Sequence, residues 1–210
     1  FNDFVASDQV PTVCDYRANR GPSDFDQEHV VAGNISLELW RGKGSPAAAA
    51  FGGWELHGIL QMLSGTPFAP RVGFDRARLR PGFGDVGQRP DLVEGRTSSD
   101  IVSGDPALYF DPGAFALPEA GYLGTLGRGT LRGPGIFAMD LALHKRVALT
   151  ERHSLELRGE AFNVTNQPNF QVPSGRALFT SSGGRIGSAG RITSTSTPSR
   201  QVQLALRWEF

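Results

Sequence analysis

The sequence predicts an all-β fold: an antiparallel transmembrane β-barrel segment, made of about five C-terminal strands with long extracellular loops, and an incomplete barrel. Three observations predict it. Five segments of strand length alternate apolar and polar side chains. The connections between them run short, long, short, long. The last segment, Arg200 to Phe210, stops on Trp208-Glu-Phe210, an apolar end that a strand in water would leave fraying.

Successive side chains of a strand point to opposite faces, so alternation means two different environments. In His29 to Trp40, Val31, Ile35, Leu37 and Leu39 face one way, and Asn34, Ser36 and Glu38 the other. In Trp54 to Leu63, Trp54, Leu56, Leu60 and Met62 oppose Glu55, His57 and Gln61. In Ile136 to Leu149, Phe137, Met139, Leu141, Leu143 and Val147 oppose Asp140, His144 and Arg146. Lys145 is the one charge on the apolar parity, near an end where a lysine can snorkel. In Ser154 to Asn163, Leu155, Leu157 and Ala161 oppose Glu156, Arg158 and Glu160. In the terminal strand, Val202, Leu204, Leu206, Trp208 and Phe210 oppose Gln201, Gln203, Arg207 and Glu209.

Residues 41–53 and the turn 150–153 are the short connections, and 64–135 and 164–199 the long ones. A structureless loop as long as 64–135 counts against a compact soluble domain, whereas outer-membrane barrels pair short periplasmic turns with long external loops. The first, third and fifth strands are therefore expected to run from outside to the periplasm, with residues 1–28 as an external loop. All three tryptophans then fall at the periplasmic rim. Trp54, Trp208 and Phe210 are expected to form a membrane-interface aromatic group, and Trp40 sits on the polar parity. The charges Glu38, Glu55, Asp140, Arg146, Glu156, Arg158, Glu160 and Arg207, with His57, are expected to face the lumen. Burial in a dry core would cost several kcal/mol for each unpaired charge.

Composition narrows the function. Twenty-one basic and 21 acidic residues give a net charge of zero, so nothing draws the chain to nucleic acid. The single cysteine, Cys14, excludes an internal disulfide and a cysteine-based zinc site, and its polar, proline-bearing neighbours suit a loop. No run is long enough for a membrane helix. The start, Phe1-Asn-Asp-Phe4, lacks an initiator methionine and a signal peptide, so a processed chain or a fragment is expected.

Four stretches carry a family resemblance: Phe51 to Phe68, with its Ser64-Gly-Thr-Pro-Phe68 loop; Gly121 to Gly135, with Gly127-Arg-Gly-Thr-Leu-Arg-Gly-Pro-Gly135; Leu157 to Phe170, with Glu160-Ala-Phe-Asn-Val-Thr-Asn-Gln-Pro-Asn-Phe170; and Arg191-Ile-Thr-Ser-Thr195 with the terminal strand. In this order, over roughly residues 24 to 210, the chain resembles the TonB-dependent outer-membrane transporters, specifically the Oar-like branch with a carboxypeptidase-regulatory-like N-terminal domain. The resemblance implies a barrel of more than twenty strands with a plug and a TonB box, located in the bacterial outer membrane. This chain would supply the C-terminal fifth or so. The implied partners are the TonB complex through N-terminal parts, outer-membrane lipid, the barrel insertion machinery reading the terminal aromatic strand, and an unidentified transported substrate.

Sites of other kinds find little support. The glycines between Gly124 and Gly135 lack the Gly-Lys-Ser/Thr ending of a phosphate loop and lead into a strand. The four histidines lack metal-site spacing, although His57 and His144 share a parity on strands that could be neighbours. Glu156 and Glu160 flank Arg158 on one face, which reads as an ionic ladder and not as a catalytic pair. Arg185, Arg191 and Arg200 read as solvated loop residues. No catalytic, cofactor-binding or metal-binding residue is expected, and no enzyme. The alternatives are a passive porin-like channel and a soluble β-sandwich carbohydrate-binding module.

Overall fold

The computed structural model describes residue 17 and residues 20–39, 52–79 and 87–210. Cys14, Trp40 and most of the 41–53 connection lie outside the described residues. The chain divides into two compact units, one of Phe1–Glu28, Ser64–Gly135 and Phe170–Ser196, the other of His29–Leu63, Ile136–Asn169 and Thr197–Phe210.

The second unit is the alternating part of the sequence. Its long strands are β1 (Val30–Glu38), β2 (Trp54–Leu63), β9 (Ile136–Ala148), β10 (Ser154–Phe162) and β11 (Gln201–Glu209). They form one five-stranded sheet in the order β1-β2-β9-β10-β11, with every neighbouring pair antiparallel. It does not close into a barrel, and β1 and β11 are its edges. Because the directions alternate across five strands, β1 and β11 run the same way.

Two kinds of turn bound these strands. Between β9 and β10 the backbone N–H groups of Leu149 and Thr150 both donate to the carbonyl of His153, at 2.9 and 3.1 Å. Thr150 Oγ1 accepts from the His153 N–H at 3.1 Å, a local side-chain bond that holds the turn. At the other end β10 stops at Asn163, whose φ of 48° is left-handed. Asparagine tolerates that conformation, and here its side chain repays it. Asn163 Nδ2 donates to the carbonyls of Gln167 and Pro198, both at 3.1 Å, and its N–H reaches Asp140 Oδ1 at 2.8 Å. Asn169 Oδ1 accepts the Phe137 N–H at 2.8 Å while Nδ2 donates to the Phe137 carbonyl at 2.9 Å, so one buried amide imitates a strand partner for β9. The asparagines of the Glu160-to-Phe170 stretch thus tie the ends of β9 and β10 together.

The first unit is built on short pairs. β3 (Pro67–Phe68) pairs with β8 (Leu131–Arg132), β4 (Asp91–Leu92) with β7 (Phe115–Ala116), and β5 (Val102–Asp105) with β6 (Leu108–Phe110). One four-residue helix, α1 (Ser98–Ile101), precedes β5. Phe68, Phe110, Phe115, Leu131 and Leu178 are fully buried together. The Phe110 and Phe115 rings meet edge to face with centroids 6.0 Å apart, a favoured aromatic geometry. Two glycines are required by close approach. A Cβ on Gly65 would lie 1.7 Å from the Gly133 carbonyl oxygen, and one on Gly124 would lie 2.1 Å from that of Arg89.

Residues 64–135, expected as a long external loop, carry β3 to β8 and α1. The unit folds by non-local aromatic contacts, which leave no periodicity to read. Arg185 is exposed in its loop, as expected, but it is also tied down there. Its guanidinium donates to the carbonyls of Pro112 and, at 2.8 Å, Phe115, and lies 5.3 Å over the Phe179 ring.

Candidate functional site

The register of the sheet sorts the strand side chains into two faces. Cross-strand partners share a face, so each register row can be followed across the sheet. One row runs Leu37, Leu56, Leu143, Gly159, Leu204. The next on the same face runs Trp54, Lys145, Leu157, Leu206, followed by Val147, Leu155, Trp208. On the opposite face, Glu38, Glu55, His144, Arg158 and Ala205 form one row, and Ser36, His57, Ala142, Glu160 and Gln203 another. Arg146, Glu156 and Arg207 form a third, and Asp140 lies opposite Ile59.

All nine polar residues picked out by alternation, from Glu38 to Arg207, therefore fall on one face. They are linked there. Arg158 bridges Glu156 at 3.0 Å and Glu160 at 3.8 Å. Arg207 reaches Glu209 at 3.4 Å and Glu156 at 4.0 Å, and Arg146 also bonds Glu209. Ser154 Oγ donates to the same Glu209 carboxylate at 3.0 Å. Glu160 takes Gln203 and has His144 Nε2 at 4.0 Å. His57 Nε2 lies 3.5 Å from Glu55, and the His57 and His144 rings are 4.9 Å apart. Asp140 accepts the Asn163 N–H and so closes the end of β10. Glu38 and Glu55 are directly opposed in register, a like-charge pair.

Six carboxylates (Glu38, Glu55, Asp140, Glu156, Glu160 and Glu209) share this face with three guanidinium groups (Arg146, Arg158 and Arg207), so the wall is polar, laced with ion pairs and acidic on balance. A small cavity of about 220 Å³ opens on this face beside Glu55, His144, Arg146 and Glu156. Although His57 and His144 are neighbours, no group of three metal-ligating side chains converges among the described residues.

The apolar face has the opposite character. Leu204 is 84% and Leu206 65% exposed, and Val31, Ile35 and Leu37 are each about half exposed. Among the described residues, every buried hydrophobic side chain belongs to the first unit and none to the five-stranded sheet. A contiguous apolar surface of this extent marks a contact with something other than water. Trp54 and Trp208 sit at the same end of the sheet, the end of the 149–153 turn, and Phe210 follows β11 there fully exposed. Trp208 packs on His153 of that turn, with ring centroids 5.8 Å apart. The short turn lies at one end of the strands, and both long segments, 64–135 and 163–200, leave from the other.

The alternation made the face of each residue legible. It did not disclose which polar groups meet, because Arg146–Glu209 and His144–Glu160 depend on register. Nor did it disclose that Lys145 is buried against Trp54, with its ammonium 5.2 Å from the ring centroid.

Comparison with known proteins gives the same direction. Neither the curated proteins nor the solved structures yield a significant match. A family model described as outer membrane beta barrel domain matches residues 2–203, nearly the whole chain. With that match and this two-faced antiparallel wall, the chain belongs to the outer membrane beta barrel domain family, whose place is the bacterial outer membrane.

Proposed function

We propose that this chain forms the C-terminal part of the barrel wall of a TonB-dependent receptor of the Oar-like branch, moving an unidentified substrate across the outer membrane. The observation that carries the reading is the pairing of two opposite faces on the same five strands: a linked row of charges on one, bare leucine and tryptophan on the other. A strand wall between lipid and a polar lumen needs that pairing.

The edges support a larger barrel. Because β1 and β11 run the same way, pairing them directly would be parallel. An all-antiparallel closure requires an odd number of further strands between them, and bacterial barrels close with an even total. The motifs of the four resemblance stretches favour the TonB-dependent class over a passive pore. In this reading the chain has no catalytic role. The polar face lines the lumen, the Trp54 and Trp208 end lies at the periplasmic interface, and the Phe210 end is read by the insertion machinery.

The test is substrate uptake by cells expressing the full-length gene product, with and without a functional TonB complex. The proposal expects uptake that stops when TonB is removed. Uptake or ion conductance that is indifferent to TonB supports a passive channel instead.

A further inference from the structure

We infer that the polar face of the sheet carries a binding site for a late divalent transition-metal ion, Cu²⁺ above all, anchored by His57 on β2 and His144 on β9. The inference does not depend on the transport reading. The two histidines are far apart in the chain, and register brings them together. Glu55 is the direct cross-strand partner of His144, and His57 follows Glu55 two residues along β2, on the same face. The rings meet on the diagonal, with centroids 4.9 Å apart and planes tilted by 52°.

That separation suits two imidazoles sharing an ion. A ring nitrogen binds such an ion at about 2.0–2.1 Å, which puts the ion roughly 3.2 Å from each ring centre. Centres 4.9 Å apart then subtend about 100° at the ion, between the square-planar and tetrahedral angles.

The ring nitrogens are prepared for it. Ser36 Oγ lies 2.9 Å from His57 Nδ1. With that Nδ1–H donating to Ser36, His57 Nε2 keeps its lone pair, as a metal-binding histidine does. His144 Nε2 is buried and has no hydrogen-bond partner among the described residues. A buried polar atom left unpaired is costly, and a bound ion satisfies it. Glu55 Oε2 lies 3.5 Å from His57 Nε2, close to the ~3.4 Å that separates two donors on one tetrahedral ion. No third side chain converges on both rings among the described residues, so the imidazoles are the anchors, and Glu55 and water complete the coordination.

The surroundings favour a cation. The face is acidic on balance, and Arg158, directly opposite His144, is held by Glu156 at 3.0 Å and Glu160 at 3.8 Å. The open cavity of about 220 Å³ beside Glu55 and His144 gives an ion a route from water. Imidazole nitrogen with carboxylate and water selects Cu²⁺, Ni²⁺ and Zn²⁺ over Mg²⁺ and Ca²⁺, which prefer oxygen alone, and Cu²⁺ binds tightest of the series.

The experiment titrates Cu²⁺, Ni²⁺ and Zn²⁺, with Mg²⁺ as the comparison probe, into the full-length gene product in detergent. His57→Gln, His144→Gln and the double variant are titrated alongside, and calorimetry reads the binding. The inference expects the unmodified protein to bind one equivalent of Cu²⁺ more than the double variant, with that site weakened tenfold or more by either single substitution and closed to Mg²⁺. Glutamine keeps a polar group at each position, and unchanged heat-modifiable migration certifies each fold. A second measurement needs no variant. Copper with ascorbate oxidises the side chains that hold the ion, and mass spectrometry should find the oxidation at His57 and His144. Equal copper stoichiometry and affinity in the unmodified protein and the double variant overturns the inference, as does oxidation that spares both histidines. Uptake indifferent to TonB would sink the transport reading and leave the metal site standing. TonB-dependent uptake without the metal site would do the reverse.

Discussion

The ammonium of Lys145 lies 5.2 Å from the centre of the Trp54 ring, on the apolar face of the sheet and directly opposite it in register. This contact explains how the one charge on that face is tolerated. The lysine does not extend along the surface; it is buried, capped by an aromatic face that attracts cations. Trp54→Leu removes the cap and should destabilise the full-length barrel by about 2 kcal/mol. In a Lys145→Met background the same substitution should cost roughly 1 kcal/mol less, since the coupled partner is gone. Urea unfolding of the four proteins in lipid vesicles measures the cycle, and strict additivity would mean that the contact contributes nothing.

Glu156 is the hub of the polar face, held by Arg158 at 3.0 Å and Arg207 at 4.0 Å and facing Arg146 across the ladder. Glu156→Gln leaves three guanidinium groups sharing fewer carboxylates. Partly exposed pairs each contribute about 0.2–1 kcal/mol, so a loss near 1 kcal/mol is expected at low salt. It should shrink as salt shortens the screening length. Unfolding measured at low and at high sodium chloride checks this, and a salt-independent loss would mean that Glu156 acts through packing.

Much of the sheet was legible in the sequence because each strand is two-faced. A period of two states the face of every residue without reference to its partner, so β2 was readable from Trp54 to Leu63 and the polar set needed no structure to define it. The first unit was opaque for the converse reason. Phe68, Phe110 and Phe115 lie on the short strands β3, β6 and β7, and Leu178 on the segment after β10, pieces too short to show a local period. Lys145 shows the limit within the strands: its parity was plain, but its burial depends on Trp54 being its register partner.

Tyr109 is buried in the first unit, and that burial pushes its phenol up to about 12, from an ordinary value of 10. Its hydroxyl donates to the Arg132 carbonyl at 3.0 Å. A raised value in the fold means that the neutral phenol is favoured there. The associated stability is present in full below about pH 10 and is lost as pH rises toward 12. Tyr109→Phe should cost about 1 kcal/mol at neutral pH through the lost hydrogen bond. It should also remove that part of the alkaline loss. Stability of the two proteins compared from pH 8 to 11.5 tests both statements, and identical alkaline profiles would contradict the assignment.

Arg132 fastens the N-terminal segment to β8. Its guanidinium donates to Asp26 at 2.6 Å, meets Glu28 at 2.9 Å and reaches the Gly65 carbonyl at 3.1 Å. The Asp26 hydrogen bond is the main cause of its raised pKa, so the group stays charged at every accessible pH. Arg132→Ala should release residues 23–28, with amide exchange there rising tenfold or more while exchange in β9 and β10 is unchanged. Arg132→Lys should restore only part of the protection, because an ammonium lacks the planar fork that serves three acceptors. Hydrogen-exchange mass spectrometry on the full-length protein reads the difference.

The central claim is that one face of this wall meets lipid and the other meets water. The most direct test places a nitroxide at single cysteines along β11, in the full-length protein with Cys14→Ser and any other cysteine replaced, reconstituted in bilayers. Probes at Leu204 and Leu206 should be relaxed by dissolved oxygen, which concentrates in lipid. Probes at Gln203 and Arg207 should be relaxed by a water-soluble nickel chelate, giving a period-two oscillation along the strand. A flat profile, or oxygen accessibility peaking at Gln203 and Arg207, would contradict the account.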